Sequence, residues 1–345
     1  MKFTFPILTL CIGGAQRMLA ELANGLTARG HDVTILMPSQ GAINYELSAK
    51  LVRTAHDYQI IETDYPYSDV IVSNYYTTVP SANEASRNGK GLHIRMSLCY
   101  EPLFLPENHL SFPTYHTTQN IIVLSKWQQQ LIFLLHGISG HIVPVGISKS
   151  FQNLHFRGSQ SKLQVSAIVR RPEGGFSWHR EQDYMIAHLQ SLIDRYPDVE
   201  FNLFCPPDEL ATSPILQQLK TSARFRFYTP GDDREMCYHY NQTDIFVSSS
   251  TYDSASLPGL EAMKCGAALV TTYSGGNQDY CLHEENCLLS YRYENRLGYD
   301  VERLLNDSSL LRRLASKGEK QVQKWTWERS LSAFEEALSA IMQKR

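Results

Sequence analysis

The sequence has no run of about eighteen apolar residues, so no segment reads as a membrane span. Short-period repeats and low-complexity tracts are also missing, which sets aside solenoids and fibrous chains. Charge of one sign is scarce. Lys and Arg number 32 against 35 Asp and Glu, a net charge of −3, whereas a general nucleic-acid binder would be basic. Cysteine is sparse and unpatterned: Cys11, Cys99, Cys205, Cys237, Cys265, Cys281 and Cys287 form no C-x-x-C pair, and their number is odd. That argues against a disulfide framework or a zinc site and implies a reducing compartment. Most of these cysteines lie in apolar stretches and read as small core residues.

What is present is enough for two cores. The chain has 345 residues, 43% of them hydrophobic and 19% charged, so two domains of roughly 150 residues are expected. The N-terminus admits two readings. Lys2 and the apolar residues that follow resemble a short signal peptide, and Leu8-Thr9-Leu10-Cys11 approaches a lipobox. A lipobox, however, requires a small residue where Leu10 stands, and an amphipathic helix follows directly, so residues 3–10 are read as a first β-strand.

Strand and helix then alternate. Cys11-Ile12-Gly13-Gly14 is a turn, and residues 15–29 carry Met18, Leu19, Leu22, Ala23 and Leu26 on one helical face. Gly30 stops that helix, and residues 32–37 form the next strand, completing a βαβ unit. Further strands are predicted at 70–72, 92–98, 121–123 and 142–145, with a helix over 125–135 capped by Ser125. Residues 148–162 turn polar, ending in Gly158-Ser159-Gln160-Ser161, and read as an interdomain linker. A second series follows: strands at 163–169, 199–204, 225–228, 245–247 and 268–271, and helices at 181–196, 232–242 and 257–264. The tail from 295 to 343 is helical. Two doubly wound halves with a helical tail suggest two facing Rossmann-like domains. The expected boundaries are 1–150 and 163–324, with 325–345 returning to the first half.

The most informative stretch runs from 243 to 289. A strand ends in the small-residue loop Ser248-Ser249-Ser250, and a helix begins near Leu257. Asp253 lies in the loop, and Glu261 lies two turns into the helix. The first peptide N–H groups of a helix, with its dipole, favour a pyrophosphate. Glu261 is placed to accept from ribose hydroxyls, and Asp253 from those of a sugar. A plain strand–loop–helix with solvated acids would show the same pattern, so the residues alone leave both readings open.

Leu257-Pro258, Leu260-Glu261-Ala262-Met263 and Cys265-Gly266 resemble the signature of glycosyltransferase family 4. Gly275-Gly276-Asn277-Gln278-Asp279 and Glu285-Asn286-Cys287-Leu288-Leu289 resemble the segments that follow it there. Gly13-Gly14 and Arg29-Gly30-His31-Asp32-Val33-Thr34 are similar to the family's opening. The resemblance covers about 60% of the chain, and its C-terminal motif is the specific part. It implies an α/β chain of the GT-B fold, with two facing Rossmann-like domains and a last helix that crosses back. It also implies a retaining, metal-independent transfer from a UDP- or GDP-linked sugar, with no other cofactor. By resemblance, Gly13 and Gly14 face the donor, and Arg170 and Arg171, together with Arg180, hold the diphosphate. Ser254, Ala255, Ser256, Leu257 and Glu261 line the donor site, and Asp253 meets the sugar.

Three departures stand out. Asp253 replaces a glutamate, and Ser254-Ala255-Ser256 replaces Gly-Phe-Gly. Cys99 occupies the place of a histidine, and Glu101 beside it becomes a candidate contact for donor or acceptor. His93 and His116, nearby in sequence, read as core or surface residues. Asp232-Asp233 reads as a helix cap rather than a metal site. The expected partners are the nucleotide sugar and a glycan or lipid-linked acceptor of bacterial surface polysaccharide synthesis, with no nucleic acid. The expected place is the cytoplasm, with peripheral contact at the inner face of the membrane if the acceptor is lipid-linked. A noncatalytic transferase-like subunit that binds glycan or steadies a partner enzyme is the alternative, and a nucleotide-sugar epimerase is a third reading that the Asp253/Glu261 pairing disfavours.

Overall fold

The computed structural model describes residues 1–157, 162–175, 177–222 and 224–343. The expected linker residues Gly158, Ser159, Gln160 and Ser161 lie outside them. The chain divides into two compact units, one of residues 1–146 with 325–345 and the other of residues 147–324.

In the first unit the strands are β1 (Lys2–Pro6), β2 (Asp32–Met37), β3 (Lys50–Arg53), β4 (Val70–Ser73), β5 (Leu92–Met96), β6 (Ile121–Val123) and β7 (His141–Ile142). They form a parallel sheet in the order β3-β2-β1-β4-β5-β6-β7. The N-terminal apolar run is therefore a central strand, with Phe3 and Phe5 fully enclosed. It ends at Pro6, four residues before the predicted end. The strand expected at 142–145 shrinks to His141–Ile142. Pro144 has no N–H to extend it, and an edge strand is where such a residue is tolerated.

Helix Gly14–Ala28 turns Met18, Leu19, Leu22, Ala23 and Leu26 inward. The last helix, Trp327–Gln343, lies along it within the same unit. Gly25 allows that approach, because a Cβ there would collide with Leu331. Phe334 meets Phe3 at 6.2 Å between ring centroids, and Arg29 is clasped by Glu328 and Glu335.

The second unit holds β8 (Leu163–Ile168), β9 (Val199–Phe204), β10 (Arg226–Tyr228), β11 (Ile245–Ser248), β12 (Ala268–Thr272) and β13 (Leu288–Ser290). They pair in parallel in the order β10-β9-β8-β11-β12-β13. This order reverses between β8 and β11, the switch point where open α/β sheets bind ligands at their carboxyl ends. Val165, Ala167, Leu203, Val247 and Val270 build the core on one side, with Met185, Leu189 and Leu192 of helix Gln182–Ile193 above them.

Residues 147–157 correct the linker reading. Ile147 and Phe151 are buried, and the Leu154 N–H donates to Asn241 Oδ1 at 2.6 Å. The Arg157 guanidinium donates to the carbonyls of Tyr240, Thr243 and Cys265 at 2.6–2.8 Å. This tract is clamped to the second unit. Among the described residues no helix is long and apolar enough to cross a membrane.

Candidate functional site

The second unit has a pocket at the switch point. Arg180, Ser249, Ser250, Asp253, Ser256 and Pro258 contribute to its lining, with Met185 and Phe246 at its apolar side. β11 carries Phe246 and Val247 into the core and then gives way to Ser249 and Ser250. These small polar residues let neighbouring loops close in. Ser249 Oγ donates to the Arg180 carbonyl at 2.5 Å, and the Thr251 N–H donates to the His179 carbonyl at 2.8 Å. On the other side the Asp253 N–H donates to Ser274, and the Gly276 N–H returns to Asp253, both at 2.8 Å.

Asp253 shapes its own loop. Its Oδ1 accepts from the N–H groups of Ala255 and Ser256 at 3.4 and 3.1 Å. Ser256 then precedes helix Leu257–Lys264 with φ +56°, a left-handed conformation that costs a side-chain-bearing residue about 1–2 kcal/mol. The buried Tyr280 hydroxyl donates to the Ser256 carbonyl at 3.0 Å and holds the turn. Ser254 is buried beside it, and its Oγ makes no hydrogen bond among the described residues. Leu257 opens the helix and Pro258 follows within its first turn, where the missing N–H costs nothing. Glu261 lies two turns on, and the enclosed Tyr240 hydroxyl donates to its Oε2 at 3.4 Å.

Arg180 is the cation of this pocket. The residue is half-buried, and its guanidinium forms no ion pair among the described residues. Burial presses it below its ordinary value, and the nearby Asp253 charge pulls the other way. His179, only 8% exposed, is held down to about 4, chiefly by burial and then by Arg180. It stays neutral at physiological pH. The sequence reading had not singled out His179, because nothing in the spacing distinguishes it from a loop histidine.

The other predicted residues fare differently. Arg170 is turned to Glu209, which accepts from its Nε through both carboxylate oxygens at 2.8 and 3.0 Å. Gln182 brackets its peptide group on both sides. Arg171 is exposed, and its N–H also donates to Glu209, at 2.7 Å. Neither arginine lines the pocket. Glu209 was not foreseen, since it lies 39 residues downstream of Arg170 with no motif to mark it.

Gly13 and Gly14 are in the first unit, at the start of helix Gly14–Ala28. The Tyr45 hydroxyl both accepts from the Gly13 N–H and donates to its carbonyl, each at 3.0 Å.

Glu101 corrects an expectation. It is 1% exposed, paired to Arg95 at 3.0 Å, and accepts from the Tyr115 hydroxyl at 2.6 Å. A carboxylate enclosed and paired in this way is not presented to a donor or an acceptor. Nearby, Cys99 is half-buried, and its carbonyl accepts from Ser97 and Tyr115. His93 is a core residue bonded to Ser73 at 2.8 Å, and His116 is exposed. Asp232 caps helix Asp233–Gln242 by accepting from the Arg234 and Glu235 N–H groups, so that pair of acids is the cap that the sequence suggested.

Comparison with known proteins bears on the fold and on the second half of the chain. A family model described as glycosyl transferases group 1 matches residues 174–321. No curated protein matches the sequence. Among solved structures, sucrose-phosphate synthase of Thermosynechococcus elongatus superposes with a TM-score of 0.80 at 15% identity, covering 100% of each chain. HepE of Anabaena, solved with UDP and glucose, gives 0.79 at 17%, covering 98% of this chain and 99% of that one. WaaG, a glycosyltransferase involved in lipopolysaccharide biosynthesis, gives 0.74 at 15%, covering 96% and 98%. Residues 174–321 thus match the model of glycosyl transferases group 1, and the chain has the GT-B fold of these glycosyltransferase structures.

Proposed function

We propose that the protein transfers a hexosyl group from a nucleotide sugar to a hydroxyl of a glycan or lipid-linked acceptor. The transfer retains the anomeric configuration and uses no metal ion. One observation carries this reading: Arg180 and Asp253 line one pocket at the start of helix Leu257–Lys264, and neither makes an ion pair among the described residues. A cation and a helix N-terminus suit a diphosphate, and a carboxylate beside them suits sugar hydroxyls. Glu261 accepts from the ribose. HepE, solved with UDP and with UDP-glucose, makes a uridine donor the first to try.

In the transfer, the bond from C1 to the diphosphate oxygen breaks as the acceptor oxygen bonds to the same face of C1. The acceptor proton passes to the departing phosphate, so no protein nucleophile is needed. Arg180 and the helix N–H groups stabilise the charge on the leaving diphosphate, where preorganised donors do most for a rate. Bacterial surface polysaccharide synthesis is the setting that WaaG's role suggests.

The test is thermal stability against UDP, GDP, ADP and their sugars, for wild type and Glu261→Ala. A nucleotide at 100 times its dissociation constant adds about 2.7 kcal/mol, a rise in Tm of several degrees. We expect one base to be preferred and the rise to vanish in Glu261→Ala. No rise with any nucleotide would remove the donor-site reading and favour a noncatalytic subunit.

A further inference from the structure

Beyond the donor pocket, the carboxyl edge of the second sheet carries an aromatic ladder that is not part of the pocket lining. β12 and β13 run side by side with Thr272 opposite Ser290, so the next residue of each strand, Tyr273 and Tyr291, stand together. Their ring centroids are 5.1 Å apart. Tyr293 stacks on Tyr291 at 5.5 Å, with the ring planes 18° apart. Exposure climbs along the ladder: Tyr273 is half-buried, Tyr291 is 41% exposed and Tyr293 82%. Two stacked rings left open to water represent unspent apolar surface, because such rings ordinarily dominate the contacts they make.

The ladder is fixed to the pocket wall at two points. Tyr273 adjoins Ser274, whose carbonyl accepts from the Asp253 N–H. Arg292, between the two outer tyrosines, pairs with Glu181 at 3.1 Å and lies 3.6 Å over the Tyr184 ring. Glu181 directly follows Arg180, and Ser249 Oγ reaches its carbonyl at 3.2 Å. Adjacent strands are spaced by about 4.8 Å, so the end of β13 is roughly 10 Å along the edge from the end of β11.

We infer that Tyr273, Tyr291 and Tyr293 form a carbohydrate platform on which hexose rings of an oligosaccharide stack beside the donor pocket. A hexose presents an apolar C–H face with hydroxyls around its rim. The negative face of an aromatic ring attracts those C–H groups, and the phenol hydroxyls can meet the rim. A platform continuous with the sugar end of the pocket suits the growing or accepting glycan better than a base, because the backbone link between the two runs through Asp253, whose carboxylate is assigned to the sugar. The inference rests on the proposed donor site for its orientation, but the binding it predicts does not need a donor.

The test is binding to an immobilised array of di- to hexasaccharides of glucose, galactose, mannose and N-acetylhexosamines, followed by titration of the strongest binder. Wild type should bind a hexose oligomer. Tyr293→Ala and Tyr291→Ala should weaken it by about tenfold or more, while Tyr293→Trp preserves it. Nucleotide-induced stabilisation, measured on the same samples, should be unchanged in all three variants. The platform is refuted if wild type binds no oligosaccharide, or if Tyr293→Ala binds as well as wild type. It is also refuted if Tyr293→Ala keeps the glycan and loses the nucleotide, since the ring would then serve the base. Glycan binding without any nucleotide effect in wild type would instead leave the platform standing and remove the donor-site reading.

Discussion

Arg95 and Arg180 are matched cations in the two units, each near the carboxyl end of a parallel sheet, and their surroundings are opposite. Arg95 is 1% exposed and fully engaged. It meets Thr114 and Glu101, and its guanidinium lies 3.5 Å over the Tyr115 ring. Arg180 keeps a share of its surface, makes no ion pair among the described residues, and has Asp253 close enough to act on its charge without bonding it. Burying a charge is costly unless it is paired. The first arginine is answered within its own unit, whereas the second has no ion-pair partner among the described residues. A buried charge marks a site only when its own protein has not already answered it.

Three substitutions would break or sharpen that contrast. The largest effect is expected from Glu101→Gln. It leaves Arg95 enclosed with a neutral partner and should cost about 3–5 kcal/mol of stability, read as a large drop in Tm or in the denaturation midpoint. If stability barely changes, Arg95 and Arg180 are not different in kind. Next is Arg180→Met. It should lower kcat/KM for transfer by about 10²–10³-fold, the scale on which a preorganised electrostatic group acts, while stability stays level or rises because an unpaired charge has gone. A stability loss as large as that of Glu101→Gln would place Arg180 among the structural residues. The smallest is Ser256→Gly. It should stabilise the protein by about 1 kcal/mol, since glycine takes φ +56° without strain, and chemical denaturation would show it. A loss of stability would mean that the serine side chain outweighs the cost of its backbone.

Much of the architecture was legible because it rests on pattern. β2, β6 and β9 lie where their apolar runs put them, and helix Leu257–Lys264 begins and ends where its sequence does. The short edge strand β3 was not read, since Lys50-Leu51-Val52-Arg53 is too brief to show a period. Helix Val79–Arg87 was missed as well, because its buried residues are only Val79, Ala82 and Ala85 amid polar ones.

In the site, Asp253 was read from the motif and Arg180 from its place after the first strand of the second unit, and both line the pocket; the left-handed turn at Ser256 was hinted at by the glycine that the motif normally has there. Glu101 misled because an acid just after a central strand looks poised for a ligand. Its true partners are Arg95, six residues before it, and Tyr115, fourteen after it, and no local spacing announces them. Arg170 misled in the same way. Its sequence context is that of a phosphate ligand, and the acid that occupies it comes from a helix whose packing the sequence does not encode locally.

The return of helix Trp327–Gln343 to the first unit sets an order of events during synthesis. Residues 1–146 leave the ribosome with the face around Gly25 and Phe3 bare, and every residue of the second unit must be made before the piece that covers it exists. The second unit, continuous from 147 to 324, can close as it emerges. The half synthesised first is therefore the last to be finished, and until then its apolar surface is in the care of whatever else binds nascent chains.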